Sequence, residues 1–253
     1  MKARPPPWIL LRGLTRDSHH WADFPRLLAE QDAGAPPLML DLPGNGRLNH
    51  EPSPTRIEHM AEYCRAEMRR RGVEPPYRLV AVSLGGMVAT AWAALAPTEI
   101  ASCALINTSM RPFSPAPHRL RPAAWSAVLR MALAPPADRD CERMILKLTS
   151  NRPIDDALLD DWTDWRGHYP VSRSNALRQL LAAARYRAPA SPPATRWIVI
   201  GSRGDRLVDP RCSRALARAW SCEVLEHPDA GHDLTLDDGA WVARQLTQWS
   251  GAA

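Results

Sequence analysis

Six short apolar runs recur along this chain with little polar alternation inside them: 8–11, 38–40, 77–82, 103–106, 197–200 and 222–225. A strand exposed on one face alternates apolar with polar. Continuous runs of this kind fit strands buried on both faces, as in a parallel sheet covered by helices. Helical stretches separate the runs at 21–31, 57–71, 86–95, 212–220 and 240–249. In the second of these Ile57, Met60, Ala61, Cys64 and Met68 repeat at helical spacing. Strand alternating with helix is the α/β pattern, and right-handed crossovers between parallel neighbours make the sheet doubly wound. About six strands are expected, parallel throughout.

One segment breaks the alternation. From 111 to 193 no strand pattern appears, and helical patterns run over 122–134, 139–149, 155–165 and 174–187. Prolines punctuate both ends: Pro112, Pro115 and Pro117, then Pro189, Pro192 and Pro193. The expectation is a core of 1–110 and 194–253 interrupted by a helical cap over 111–193.

Composition closes off other classes. The 253 residues are 45% hydrophobic and 23% charged, which excludes wholesale disorder. No apolar run reaches the roughly 18 residues of a membrane span, and the apolar stretch ending before Arg12 is short for a signal-peptide core. Five scattered cysteines (Cys64, Cys103, Cys141, Cys212, Cys222) form no C-x-x-C pair, so neither a disulfide framework nor a metal site is expected. That usage suits a reducing, cytoplasmic setting. The net charge of +5 is carried almost wholly by arginine, with only Lys2 and Lys147 as lysines. Apart from Arg69-Arg70-Arg71 the arginines are dispersed, so nucleic-acid binding has little support.

The strongest local signal is Val80-Ala81-Val82-Ser83-Leu84-Gly85-Gly86-Met87. An apolar run stops at Ser83 and a small-residue helix follows, which is the strand–turn–helix setting of a nucleophile elbow. So tight a turn needs small residues two positions before and after the serine, and Ala81 and Gly85 stand there. The N–H groups of the following helix favour negative charge near the serine.

A serine hydroxyl needs a base and an orienting acid. Among eight histidines, His232 follows the last apolar run in Ala230-Gly231-His232, just ahead of the final helix. His227 lies nearer the strand and precedes a proline, which suits a surface loop; His19 and His20 lie in an early loop and could line a pocket, but a solvated pair is the favoured reading. Asp205 follows the run 197–200 and a Gly-x-x-Gly turn. Asp209 competes with it, but Asp-Pro reads more naturally as a turn or helix start. The chain order is then Ser83, Asp205, His232.

These pieces resemble the α/β-hydrolase family of cap-bearing serine esterases, with a weaker similarity to the pimeloyl-carrier-protein methyl ester esterases. The order Ser, Asp, His matches the family. So do Arg12-Gly13 after the first strand and Asp41-Leu42-Pro43-Gly44-Asn45-Gly46, which is similar to the family's D-x-P-G-x-G turn. Many members have His-Gly where this chain has Arg12-Gly13. With the first apolar run at Trp8, the family's leading antiparallel hairpin is expected to be missing.

The resemblance implies a carboxylic ester or thioester hydrolase working through Ser83, His232 and Asp205 and an acyl-enzyme. The Leu14 and Leu84 N–H groups would form the oxyanion hole, and no metal or organic cofactor would be needed. A C–C bond hydrolase, a cofactor-free perhydrolase and a non-catalytic binding relative are the alternatives. The partner would be a small ester or acyl substrate. Its choice would rest with the segment 111–193, whose Trp125, Met131, Leu146, Trp162, Trp165 and Tyr186 mostly pack helices while one or two line an acyl pocket. Arg111, Arg119, Arg121, Arg130, Arg143 and Arg152 permit docking of an acidic acyl carrier protein, though a solvated face explains them as well.

Overall fold

The computed structural model describes residues 5–32, 36–133 and 137–251. Six strands form one sheet: β1 (Trp8–Leu11), β2 (Leu38–Leu40), β3 (Tyr77–Val82), β4 (Ile100–Ile106), β5 (Arg196–Ser202) and β6 (Glu223–His227). Their order is β2-β1-β3-β4-β5-β6, and all five pairings are parallel.

Alternate residues of the central strands feed two cores. Ile9, Leu11, Leu79 and Ala81 face α2 (Ile57–Arg70), α3 (Leu84–Leu95) and α9 (Arg211–Trp220), where Met60, Cys64, Trp92 and Leu216 are buried. Trp8, Leu10, Val80 and Val82 face α1 (Phe24–Asp32) and α11 (Gly239–Gly251), through Phe24, Leu28, Val242 and Leu246. Burial on both faces explains why these strands read as unbroken apolar runs.

Between β4 and β5 lie α4 (Ala116–Arg119), α5 (Pro122–Leu133), α6 (Asp138–Thr149), α7 (Asp156–His168) and α8 (Arg173–Arg185). Leu146, Leu159 and Trp162 make a small core between α6 and α7. A short α10 (Leu234–Asp237) precedes α11.

The elements differ from expectation at their ends. The helix expected over 21–31 is a 3₁₀ turn, Ser18–Trp21, followed by α1, because Ala22 at φ 47° breaks the helical path. The helix expected from Gly86 starts at Leu84, directly after Ser83. The last strand is Glu223–His227 rather than 222–225; as an edge strand it is partly exposed and lacks a continuous apolar signature. Residue 134, the expected end of one helix, lies outside the described residues.

Candidate active site

The chain leaves β1 for β2 on one side and returns to β3 on the other, so the carboxyl ends of β1 and β3 flank a topological switch point, where open α/β sheets hold their ligands. Ser83 stands there, at φ 55° and ψ −118°, between β3 and α3. A non-glycine residue in this region is strained and is held only by surrounding structure. Its N–H donates to Ile106 O (2.9 Å), and its carbonyl accepts from Thr108 Oγ1 (2.8 Å) and Gly86 N (3.0 Å).

The small residues around it have measurable causes. A Cβ on Gly85 would lie 2.4 Å from Leu11 O, one on Gly86 2.7 Å from Thr108 Oγ1, and one on Gly13 3.0 Å from Ser83 Cβ. Gly13 thus brings the chain after β1 against the serine.

Asp205 and His232 meet. His232 Nδ1 lies 2.7 Å from Asp205 Oδ2, and both side chains are buried. The other oxygen, Oδ1, accepts from Leu207 N and Val208 N, each at 2.8 Å, which fixes the plane of the carboxylate. Arg121 Nη1 donates to Asp205 O (2.9 Å) from the β4–β5 segment. Asp209 is engaged elsewhere. It pairs with Arg211 at the start of α9, and those hydrogen bonds lower its pKa to about 2.

Side chains that did not stand out in the sequence hold the histidine loop. Asn107, at the end of β4 with φ 47°, donates to His232 O (2.8 Å), Gly231 O (3.2 Å) and Ser202 Oγ (2.9 Å), and accepts from Ser202 N (2.8 Å). Asp237 Oδ2 accepts from Gly231 N (2.6 Å) and Asn151 N (2.9 Å). Asn151 Nδ2 in turn donates to Gly204 O (3.0 Å) and Asp229 O (2.8 Å). The end of α6 therefore braces both the Asp205 loop and the His232 loop.

Arg12 spends its charge on Asp233, through Nη1–Oδ1 (3.0 Å) and Nη2–Oδ2 (2.5 Å), and stacks over Trp21. Burial pushes the Asp233 carboxyl up, but the Arg12 guanidinium outweighs it and holds the pKa below the usual value. Arg12 thus adds no unbalanced cation beside the serine.

Other sequence readings are revised. His20 is buried, not solvated; its Nδ1 lies 2.9 Å from Asp17 Oδ1. Burial, then the nearby Arg16, lower its pKa to about 4. His19 is partly exposed, stacked on Trp165 and 2.7 Å from Asp161. His227 packs edge-on against Trp241 and accepts from Ala230 N (3.0 Å).

A cavity of about 320 Å³ opens above the strand ends, and Ser83, His232, Leu14 and Leu84 all line it. Its remaining wall is largely apolar, with Met87, Leu120, Val128, Met131, Ile145 and Leu148. Of the aromatic and large apolar residues singled out between β4 and β5, Met131 lines this cavity, Tyr186 is in the core and Trp125 is exposed. Leu84 opens α3, so its N–H has no intrahelical partner.

The sequence profile described as the alpha/beta hydrolase fold matches residues 6–239. The chain belongs to this family. Solved structures agree in fold. The thermophilic esterase from Thermogutta terrifontis is 18% identical, with TM-score 0.73 over 99% of this chain and 91% of its own. The enol-lactonase from Burkholderia xenovorans is 18% identical, with TM-score 0.77 over 99% and 94%. The esterase from Exiguobacterium antarcticum is 10% identical, with TM-score 0.78 over 98% and 92%. At such identities the likeness is one of fold. No curated protein matches the sequence. Among the described residues no helix is long and apolar enough to cross a membrane.

Proposed function

We propose that this α/β hydrolase is a serine esterase that cleaves a carboxylic ester or thioester with an apolar acyl group. The observation that carries the reading is the 2.7 Å contact between His232 Nδ1 and Asp205 Oδ2 beside a cavity that Ser83 also lines.

With Nδ1 committed to Asp205, Nε2 is the ring nitrogen left to take the Ser83 proton; the two side chains line one cavity without a hydrogen bond between them, and the proposed reaction has them close up on the bound substrate. In the proposed reaction Ser83 Oγ attacks the acyl carbon as Nε2 takes its proton, and Asp205 stabilises the imidazolium. The carbonyl oxygen becomes an anion between the Leu14 and Leu84 N–H groups; one such donor is typically worth about 10²–10³ in rate. The imidazolium returns its proton to the leaving oxygen or sulfur, and the bond to the acyl carbon breaks. Water then loses a proton to Nε2, attacks the acyl-enzyme, and Ser83 is released with its proton restored.

The residues 111–193 act in this reading as a cap that shapes the acyl pocket. A wall dominated by apolar side chains favours substrates with a hydrocarbon acyl chain over very small or highly polar ones.

The deciding experiment pairs fluorophosphonate labelling with turnover of p-nitrophenyl esters of increasing chain length. Label on Ser83, loss of label and turnover in Ser83→Ala, and a preference for chains longer than acetyl are expected. Turnover that survives Ser83→Ala would reject the mechanism.

A further inference from the structure

Charge is segregated along the β4–β5 helices. Residues 100–137 and 165–204 contain no Asp or Glu, whereas 138–164 carry Asp138, Asp140, Glu142, Asp155, Asp156, Asp160, Asp161 and Asp164. The acids therefore sit on α6 and α7 and the segments beside them. There they pair with arginines: Glu142 with Arg16 and Arg166, and Asp156 and Asp160 with Arg139. The other two long helices, α5 and α8, pack together and carry only positive charge.

Apolar exposure is confined in the same way. Of the large apolar side chains exposed among the described residues, all but Leu95 and Val224 stand on α5 and α8. Trp125, Leu129 and Leu133 follow one another at four-residue spacing on α5, and Leu177 and Leu181 do so on α8. Leu129 is 57% exposed. The Trp125 indole N–H is already satisfied by Leu120 O (2.8 Å), so its ring presents only apolar surface outward.

Arg130, Arg173 and Arg185 are exposed on these helices, Arg187 just past α8 and Arg111 bridged to it, and none of the five has a carboxylate within 4.0 Å among the described residues. A helix pair with exposed leucine and tryptophan, unpaired arginines and no acid has the make-up of an in-plane interfacial element.

We infer that the outer face of α5 and α8 docks onto an anionic lipid surface. The leucines and Trp125 enter the headgroup–acyl boundary, and the arginines meet lipid phosphates. An apolar phase is what the exposed stripe lacks, and negative charge is what the arginines lack. The inward faces of the same two helices, through Val128, Met131, Ala176 and Leu180, line the cavity that holds Ser83. Docking therefore sets that cavity beside a lipid phase.

The test is flotation of the full chain with phosphatidylcholine vesicles, with and without about one-third phosphatidylglycerol. Binding to the anionic vesicles is expected, weakened about tenfold in Arg130→Glu/Arg185→Glu and by high salt. A similar loss is expected in Leu129→Gln/Leu177→Gln, whose charge is unchanged. None of these four residues lines the cavity, so turnover of a soluble short-chain ester and the thermal midpoint should hold in both variants. Arg130→Gln/Arg185→Gln serves if the reversal does not fold. The readout is independent of Ser83 chemistry, so it stands or falls apart from the esterase reading. Failure to float with anionic vesicles overturns the inference. So does binding indifferent to the leucine changes. Capture by an acidic carrier protein without vesicle binding overturns it in favour of a protein partner.

Discussion

Asn107 Nδ2 donates to the main-chain oxygen of His232 at 2.8 Å, so a side chain at the end of β4 sets the height of a ring 125 residues further along. The same amide bridges Ser202, just ahead of the Asp205 loop. Asn107→Gly keeps the left-handed backbone at φ 47° available while removing every one of these bonds. Under the proposed chemistry kcat should fall about 100-fold with KM nearly unchanged, because a ring displaced by about 1 Å loses that much. Steady-state turnover of a soluble ester checks this, and an unchanged kcat would remove Asn107 from the set of positioning residues.

Arg12 and Asp233 form a buried two-point ion pair at the wall of the cavity. Arg12→Met should cost about 3–5 kcal/mol in urea unfolding, since it strands a buried carboxylate. The double variant Arg12→Met/Asp233→Leu should regain most of that loss. The pair's pH dependence has a definite sign. The folded pKa of Asp233 lies below its ordinary value, so its contribution is full above about pH 4 and disappears as pH falls through the folded value. A double variant no more stable than the single one would contradict the pairing argument.

What the sequence made legible follows the physics of burial. β1, β3, β4 and β5 show as apolar runs because both of their faces are covered, and the face of α2 shows because its burial repeats at helical spacing. Ser83 was visible because the elbow demands small neighbours at fixed offsets. Arg12–Asp233, Arg16–Glu142 and Asn107–His232 were not visible. Each joins residues more than 100 positions apart, and a lone polar residue carries no mark of its partner. His20 misled for the same reason: its burial is imposed by Trp162 from α7.

Gly85 offers a steric prediction. A Cβ there meets Leu11 O at 2.4 Å and Arg12 O at 2.7 Å, both main-chain atoms of the neighbouring strand end that cannot swing aside. Gly85→Ala should destabilise by about 3 kcal/mol or more, at or above the upper end of ordinary overpacking. Gly72→Ala is the control: its φ of 65° strains alanine, yet nothing lies within 4 Å. Its loss should stay near 1 kcal/mol. Thermal or urea unfolding of the two variants separates close approach from backbone strain, and equal losses would refute the distinction.

His20 should make stability fall as solution turns mildly acidic. Burial first, then the Arg16 guanidinium, hold its pKa at about 4, against the opposing pull of Asp17 and Glu142. Its Nε2 is buried without a hydrogen-bond partner among the described residues, so the ring is kept neutral. The unfolded chain takes up this proton near pH 6.5 and the folded one only near pH 4, so between those values the unfolded state binds more protons. Stability from this group is therefore full above about pH 6.5 and is lost as pH drops toward 4. Between about pH 7 and pH 5 the loss from this group amounts to about 2 kcal/mol. Asp17 and Glu142 do not blur this window, because both pKa values lie below the ordinary carboxylate range. His20→Asn retains a donor toward Asp17 and removes the titration, so its urea midpoint should shift by far less over the same interval. Parallel pH curves for the two proteins would show that the acid sensitivity arises elsewhere.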